Sequence, residues 1–306
     1  MKRAAAIDRR KMATLLAVPW DGDCGGVISV VANLARYFQA RGQEVYFFHP
    51  GRTLFLKRRM TKLGFPGIQL RLNMPFGPKP RRILRTVAFP FLLTLSVLQL
   101  IWFMRRRHIR FVNIHYPGDE FVYFAICRLF APVRLITSLH GNDVFDLQGQ
   151  PKGRYSNAFR LILRLSDLII LPSAAYRFRL WRAFPGVREK TMLVYNGVNP
   201  DQFQPAEHTN SGRGENQYLL CVAEHREYKG IDVLLHALKR LIPWNPSVKL
   251  ALAGDGPLRR DLEDLAASLG VRNNVRFLGH QGAAEVVALL QGCLVFVLPS
   301  RADPYL

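Results

Sequence analysis

Acidic residues are scarce in this chain: 22 Asp and Glu face 43 Lys and Arg across 306 residues, a formal net charge of +21. The shortage is concentrated at the front. The first 110 residues hold 21 Lys/Arg and four Asp/Glu, a net of +17, against +4 for the remaining 196. Such an imbalance implies an anionic partner: nucleic acid, an acidic membrane surface or an anionic substrate. Cysteine is also sparse. Cys24, Cys127, Cys221 and Cys293 lie far apart, none in a C-x-x-C pair and none beside a His cluster. This reads as isolated reduced thiols and gives no support to a metal site. No complete G-x-G-x-x-G fingerprint occurs, so a dinucleotide is not favoured. The basic N-terminus (Lys2, Arg3, Arg9, Arg10, Lys11) leads into an apolar run of only about nine residues, Met12 to Trp20, without a small-residue cleavage site. It reads as a first buried strand rather than a secretory signal.

What is present is an apolar content of 49%, ample for packed cores, on a length that suits one large or two ordinary domains. Met12 to Val18 is a strand, Asp21 to Gly26 a loop, and Val27 to Ala40 a helix, with Val27, Val30, Val31, Leu34, Ala35 and Phe38 at spacings of three and four. Gly42 follows at the C-terminal position and Glu44 to His49 is a second strand. This βαβ opening predicts a parallel, doubly wound sheet. Residues 50–86 are basic and rich in Pro and Gly, with low periodicity. Further strands are predicted at 111–115, 133–138, 168–171 and 192–195, with a helix over 157–165. Residues 201–217 read as a linker. From Tyr218 the pattern restarts, with strands at 219–223, 248–253, 275–278 and 294–298 around helices near 230–242, 257–269 and 284–291. The expected organisation is therefore a domain over 1–200, a linker over 201–217 and a second domain over 218–306. Ninety residues is short for a doubly wound domain, so that half is expected to be truncated and to bind its ligand poorly as it stands.

One long apolar run interrupts this pattern. Val87 to Met104 has no charge, and arginines flank it on both sides. It is marginal in length for a spanning helix, and basic flanks at both ends give no positive-inside asymmetry. The favoured reading is a helix of the fold with a widened apolar face against an anionic lipid surface. A fully buried core helix and a true span are the alternatives.

Four constellations could carry chemistry. Gly25 and Gly26 sit between a strand and a helix, where backbone N–H groups can approach a phosphate, although many such turns carry glycine for geometry alone. Arg226 and Lys229, three residues apart after a strand, can clamp a diphosphate and bear the charge that grows on a leaving group. His140, followed by Gly141, Asn142 and Asp143, stands at a strand end where a sugar hydroxyl or a phosphate can be reached. Asp303 follows Pro299-Ser300-Arg301 and could take hydroxyls of a donor sugar.

Taken together with Thr137-Ser138-Leu139-His140-Gly141, Ser166-Asp167, Asn196-Gly197-Val198, Lys229-Gly230-Ile231-Asp232, Gly254-Asp255-Gly256-Pro257, Val275-Arg276-Phe277-Leu278-Gly279 and Leu298-Pro299-Ser300-Arg301, these residues resemble the retaining glycosyltransferases of family four. The resemblance covers nearly the whole chain. It implies an α/β GT-B fold in which two Rossmann-like domains face a cleft, a nucleotide-diphosphate sugar as co-substrate, and no metal or other cofactor. By residue, it implies that Gly25 and Gly26 approach the donor phosphates, His140 contacts the transferred sugar, and Lys229 holds the diphosphate. Gly279 and His280 would line the base pocket through backbone atoms, and Asp303 would stand where the family has the first Glu of a pair. Three departures stand out: Ala223-Glu224 replaces the expected Gly-Arg, Asp303 is a methylene shorter than Glu, and Leu306 replaces a Gly.

The implied activity is sugar transfer to a lipid-linked or polysaccharide acceptor with retention of configuration. The leaving diphosphate itself would take the acceptor proton. The implied location is cytoplasmic, on the inner face of the cytoplasmic membrane. Two alternatives remain: a sugar-nucleotide enzyme of other chemistry, such as an epimerase, and a basic membrane- or nucleic-acid-binding protein. Phe47, Phe48 and Phe55 are not interleaved in a known RNA-binding pattern, which makes nucleic acid the weaker partner.

Overall fold

The structure, a computed structural model, describes residues 12–22, 25–72, 82–141, 155–198, 200–204 and 218–301. They form two compact units, one up to Gly197 and one from Val198. The first contains, in order, β1 (Ala13–Ala17), α1 (Gly26–Ala40), β2 (Glu44–Pro50), β3 (Lys57–Met60), β4 (Pro66–Leu70), α2 (Arg82–Arg106), β5 (Ile109–His115), α3 (Val122–Phe130), β6 (Arg134–Ser138), α4 (Asn157–Leu165), β7 (Leu168–Leu171), α5 (Ala174–Ala183) and β8 (Thr191–Leu193). Its eight strands lie in the order β3-β4-β2-β1-β5-β6-β7-β8. All pair in parallel except β3, which runs antiparallel to β4 at the edge.

The alternation of side chains along the inner strands explains the helices on both faces. Leu15 and Phe48 enter a core with Leu100, Phe103 and Phe124 of α2 and α3. Their neighbours Leu16 and Phe47 enter another with Val31 and Ala35 of α1. Asp167 locks three elements of this unit together. It accepts from Arg128 of α3 at 2.9 and 3.0 Å, from Arg134 at 3.0 Å and from the Leu135 amide at 2.8 Å. Those partners hold its carboxyl well below the usual carboxylate range. The Ser166-Asp167 pair is in this respect a structural clamp.

The second unit contains β9 (Tyr218–Val222), α6 (Ile231–Leu241), β10 (Lys249–Ala253), α7 (Arg259–Ser268), β11 (Val275–Gly279), α8 (Ala283–Gly292) and β12 (Val295–Phe296). Its strands form one parallel sheet in the order β11-β10-β9-β12. Ile231, Leu234, Leu235 and Leu238 of α6 pack with Leu262 and Ala266 of α7 over Cys221, Leu250 and Leu252. Leu220, Ala251 and Ala253 face α8 on the other side.

The basic stretch over 50–86, for all its low periodicity, contains the β3–β4 hairpin and the start of α2. The run at 87–104 lies within a longer helix of the fold that keeps an exposed apolar face, as the favoured reading has it, and is not a fully buried core helix. Val97, Leu100, Phe103 and Met104 are buried, whereas Phe91, Leu98 and Trp102 are 71%, 59% and 54% exposed. Ala88–Arg106 is long and apolar enough to cross a membrane, yet it is the crossover between two strands of one sheet.

The polar residue in the middle of α2 has a structural reason. The Gln99 side chain accepts from the Leu56 amide at 2.8 Å and donates to the Leu54 carbonyl at 3.0 Å, so it acts as a strand partner for that loop. Replacing Gln99 with Ala leaves the part-buried Leu56 amide without its acceptor, while water can reach the exposed Leu54 carbonyl. The expected loss is about 1–3 kcal/mol, read from urea unfolding.

Candidate functional site

In open α/β sheets, ligands bind beyond the carboxyl ends of the strands, and both units carry their unusual side chains there. In the first unit, α1 begins at Gly26 with Gly25 at φ 106 as its cap. No side chain caps it and no acid lies in its first turn. A Cβ built at either glycine meets nothing within 4 Å among the described residues. A side chain is thus not excluded there by contact, and the uncapped first turn of α1 carries N–H groups at the positive end of the helix dipole, which suits an anion.

His140 lies two residues past β6 and is buried. Its Nε2 is 3.0 Å from Nδ1 of His115, the last residue of β5, with the rings stacked at 5.3 Å. Only one nitrogen of that contact can carry the proton. The Tyr176 hydroxyl donates to the carbonyl of Gly141, the next residue, whose φ is 105, at 3.0 Å. Burial pushes His140 down to about 4, and burial together with His140 pushes His115 well down. Both rings are neutral near pH 7. His115, the last residue of the strand predicted at 111–115, packs on His140 and helps to orient it. Asn142 and Asp143 lie outside the described residues.

The histidine pair sets a pH dependence. A folded value below the ordinary 6.5 means that protons bind the unfolded chain more readily. This stability is present above about pH 6.5 and is lost as pH falls toward 4. Between pH 7 and pH 5 the expected loss from His140 is about 2 kcal/mol. His140→Gln should flatten that slope in urea titrations at the two pH values.

In the second unit the turn after β9 carries Lys229, and Gly230, at φ 64, caps α6. A Cβ at Gly230 would lie 2.1 Å from the Pro299 carbonyl oxygen, so only glycine allows this approach. Arg301 closes the contact. Its amide donates to the Tyr228 carbonyl at 2.8 Å, and its guanidinium donates to the Glu227 carbonyl at 2.7 Å and forks onto both oxygens of Asp232. The Lys229 turn is therefore held from 70 residues downstream. The spacing of the sequence motifs gave no sign of that contact. Lys229 is half-buried, with Nζ 5.0 Å from the Tyr228 ring centre.

Arg226 is engaged locally. Its Nε donates to Glu224 at 2.7 Å, so the acid that departs from the family pattern takes its charge. Gly279 ends β11 at φ 72, its carbonyl accepts from the Gly254 amide at 2.7 Å, and His280 beside it is exposed. Asp303 lies outside the described residues. Among the described residues, no group of three His, Cys, Asp or Glu side chains converges as a metal site would.

Two α/β units, each built on a mainly parallel sheet with glycine turns at its strand ends, are the units of a GT-B fold. HepE of Anabaena, solved with UDP, superposes with a TM-score of 0.67 at 18% identity, covering 95% of this chain and 75% of that one. Residues 24–202 match Glycosyltransferase Family 4 and residues 203–305 match Glycosyl transferases group 1. The chain belongs to Glycosyltransferase Family 4. An uncharacterized glycosyltransferase of Methanocaldococcus jannaschii is 28% identical over 207 residues, 62% of this chain and 50% of the relative. A D-inositol 3-phosphate glycosyltransferase of Streptomyces scabiei is 25% identical over 314 residues, 94% of this chain and 68% of the relative. The chain spans about half the length of the first curated relatives it matches.

Proposed function

We propose that this protein transfers a sugar from a nucleotide-diphosphate sugar to a lipid-linked or polysaccharide acceptor, with retention of configuration. The observation that carries this reading is the Lys229 turn: a cation fixed by Gly230, Pro299 and Arg301 at a strand end and beside the start of α6. Such a cation suits a departing diphosphate. The UDP bound by the Anabaena protein supports the same donor class.

In this reading Gly25 and Gly26 offer a second set of phosphate-binding amides, and neutral His140 hydrogen-bonds a sugar hydroxyl. Gly279 and His280 border the base, and Asp303 takes donor hydroxyls. The acceptor oxygen attacks the anomeric carbon on the face the diphosphate leaves. The sugar–oxygen bond to the diphosphate breaks, and the acceptor proton passes to a departing phosphate oxygen. No metal is invoked.

The reading places the enzyme on the cytoplasmic face of a membrane. Phe91, Leu98 and Trp102 form one exposed stripe of α2, with Arg105 and Arg106 at its end. Apolar surface rimmed by arginine suits an anionic bilayer. The test is incubation of the protein with radiolabelled nucleotide sugars and membrane extract. Label appearing in the extracted lipid or polysaccharide fraction supports the reading, and its absence with uridine, guanosine and adenosine donors alike overturns it.

A further inference from the structure

A cavity of about 270 Å³ lies at the opposite, amino-terminal end of the first sheet, between the β3–β4 hairpin and the last turn of α2. Its apolar wall is Phe103, Ile68 and Met60, with the Tyr46 ring beside them. Three arginines also line it, and no Asp or Glu does. Arg59 is accounted for, since it pairs with Asp21 at 2.5 Å. Arg58 stands on an exposed edge strand and meets no carboxylate among the described residues. Arg107 packs its guanidinium 5.6 Å from the Tyr46 ring centre, and its Nε is buried with no acceptor. Glu44, outside the cavity lining, accepts from the Tyr46 hydroxyl at 2.8 Å, and that hydroxyl also meets the Arg107 guanidinium.

Arg58 and Arg107 bring like charges to a lining that holds no carboxylate, and a buried donor without an acceptor is a destabilising arrangement unless something fills it. A bare anion would satisfy the guanidinium groups and leave the apolar wall wet. An apolar molecule would do the reverse. Both are satisfied by one molecule with a phosphate head and a short hydrocarbon tail. We propose that this cavity is a binding site for an alkyl phosphate, the head between Arg58 and Arg107 and the tail along Phe103 and Ile68. It is separate from the strand-end residues above and does not depend on the proposed transfer reaction. Its wall at the end of α2, Phe103 and Arg107, adjoins in sequence the exposed Trp102, Arg105 and Arg106. A lipid headgroup and a soluble amphiphile are therefore both possible sources of the same chemistry.

The test is titration calorimetry of the whole protein with octyl phosphate below its micelle concentration, with inorganic phosphate and with octanol. Octyl phosphate should bind at least about ten-fold more tightly than either fragment, and Arg58→Gln and Arg107→Gln should each weaken it about ten-fold. Arg58 is exposed on the sheet edge, so Arg58→Gln keeps the fold, and an unchanged melting temperature verifies this. Equal binding of octyl phosphate by wild type and Arg58→Gln overturns the proposal, as does inorganic phosphate binding as tightly as octyl phosphate. Flotation with phosphatidylglycerol vesicles separates the sources. Reduced capture of Arg58→Gln identifies the headgroup of a lipid, and unchanged capture alongside weakened octyl phosphate binding identifies a soluble amphiphile.

Discussion

Lys229→Ala should reduce sugar transfer by about 10²–10³-fold while leaving the fold intact. In the proposed reaction its charge acts where negative charge grows on the diphosphate, so the loss should fall mainly on kcat rather than on KM. Among the described residues, the two nearby arginines are already engaged. Arg226, three residues earlier, is committed to Glu224 at 2.7 Å, and Arg301 to Asp232 and the Glu227 carbonyl. The side chain is half-buried on a short turn and lies outside the core of α6 and α7, so thermal unfolding should be nearly unchanged. Steady-state transfer of labelled sugar with a parallel melting curve decides the matter. Wild-type turnover in the variant would remove Lys229 from the site.

The second large effect is on stability. Gly254→Ala should destabilise the second unit by about 3–5 kcal/mol. Gly254 sits at φ 129, and a Cβ there would lie 2.0 Å from the Ala223 carbonyl oxygen. That oxygen is backbone at the end of β9 and cannot rotate away. The Gly254 amide also donates to Gly279, so moving it would break the β10–β11 edge. Gly270→Ala is the control. It shares a positive φ of 75 but has nothing within 4 Å, so only the conformational preference is lost, about 1–2 kcal/mol. The difference in urea midpoints between the two variants isolates the clash.

Much of the fold was legible because it rests on side-chain burial. The three-and-four spacing of α1 and the apolar faces of α6 and α7 follow directly from which residues the cores need. The β3–β4 hairpin was not legible, because Lys57-Arg58-Arg59-Met60 is exposed at every position. Such a strand is defined by its backbone pairing with β4, and no hydrophobic alternation marks it. The helices α3 and α5 were passed over as well. In α3, Tyr123, Phe124, Ala125 and Cys127 are all buried, which blurs the amphipathic period. At the strand ends, glycines and cations are visible one by one, whereas their partners are not. Nothing local couples His115 to His140 across 25 positions, or Arg301 to Asp232 across 69. Those contacts exist only once the parallel strands are in register.

The grip of Pro299 and Arg301 on the Lys229 turn also sets the order of events during synthesis. Chains emerge from the ribosome N-terminus first, and contacts that close large loops form late. The β9–α6 turn leaves the ribosome about seventy residues before the segment that fixes it. Until then Glu227 and Asp232 lack their guanidinium partner, and Gly230 has no backbone packed against it. The cation that the proposed chemistry depends on is therefore fixed only after Arg301 has emerged, by which point every strand of the first sheet has already left the ribosome.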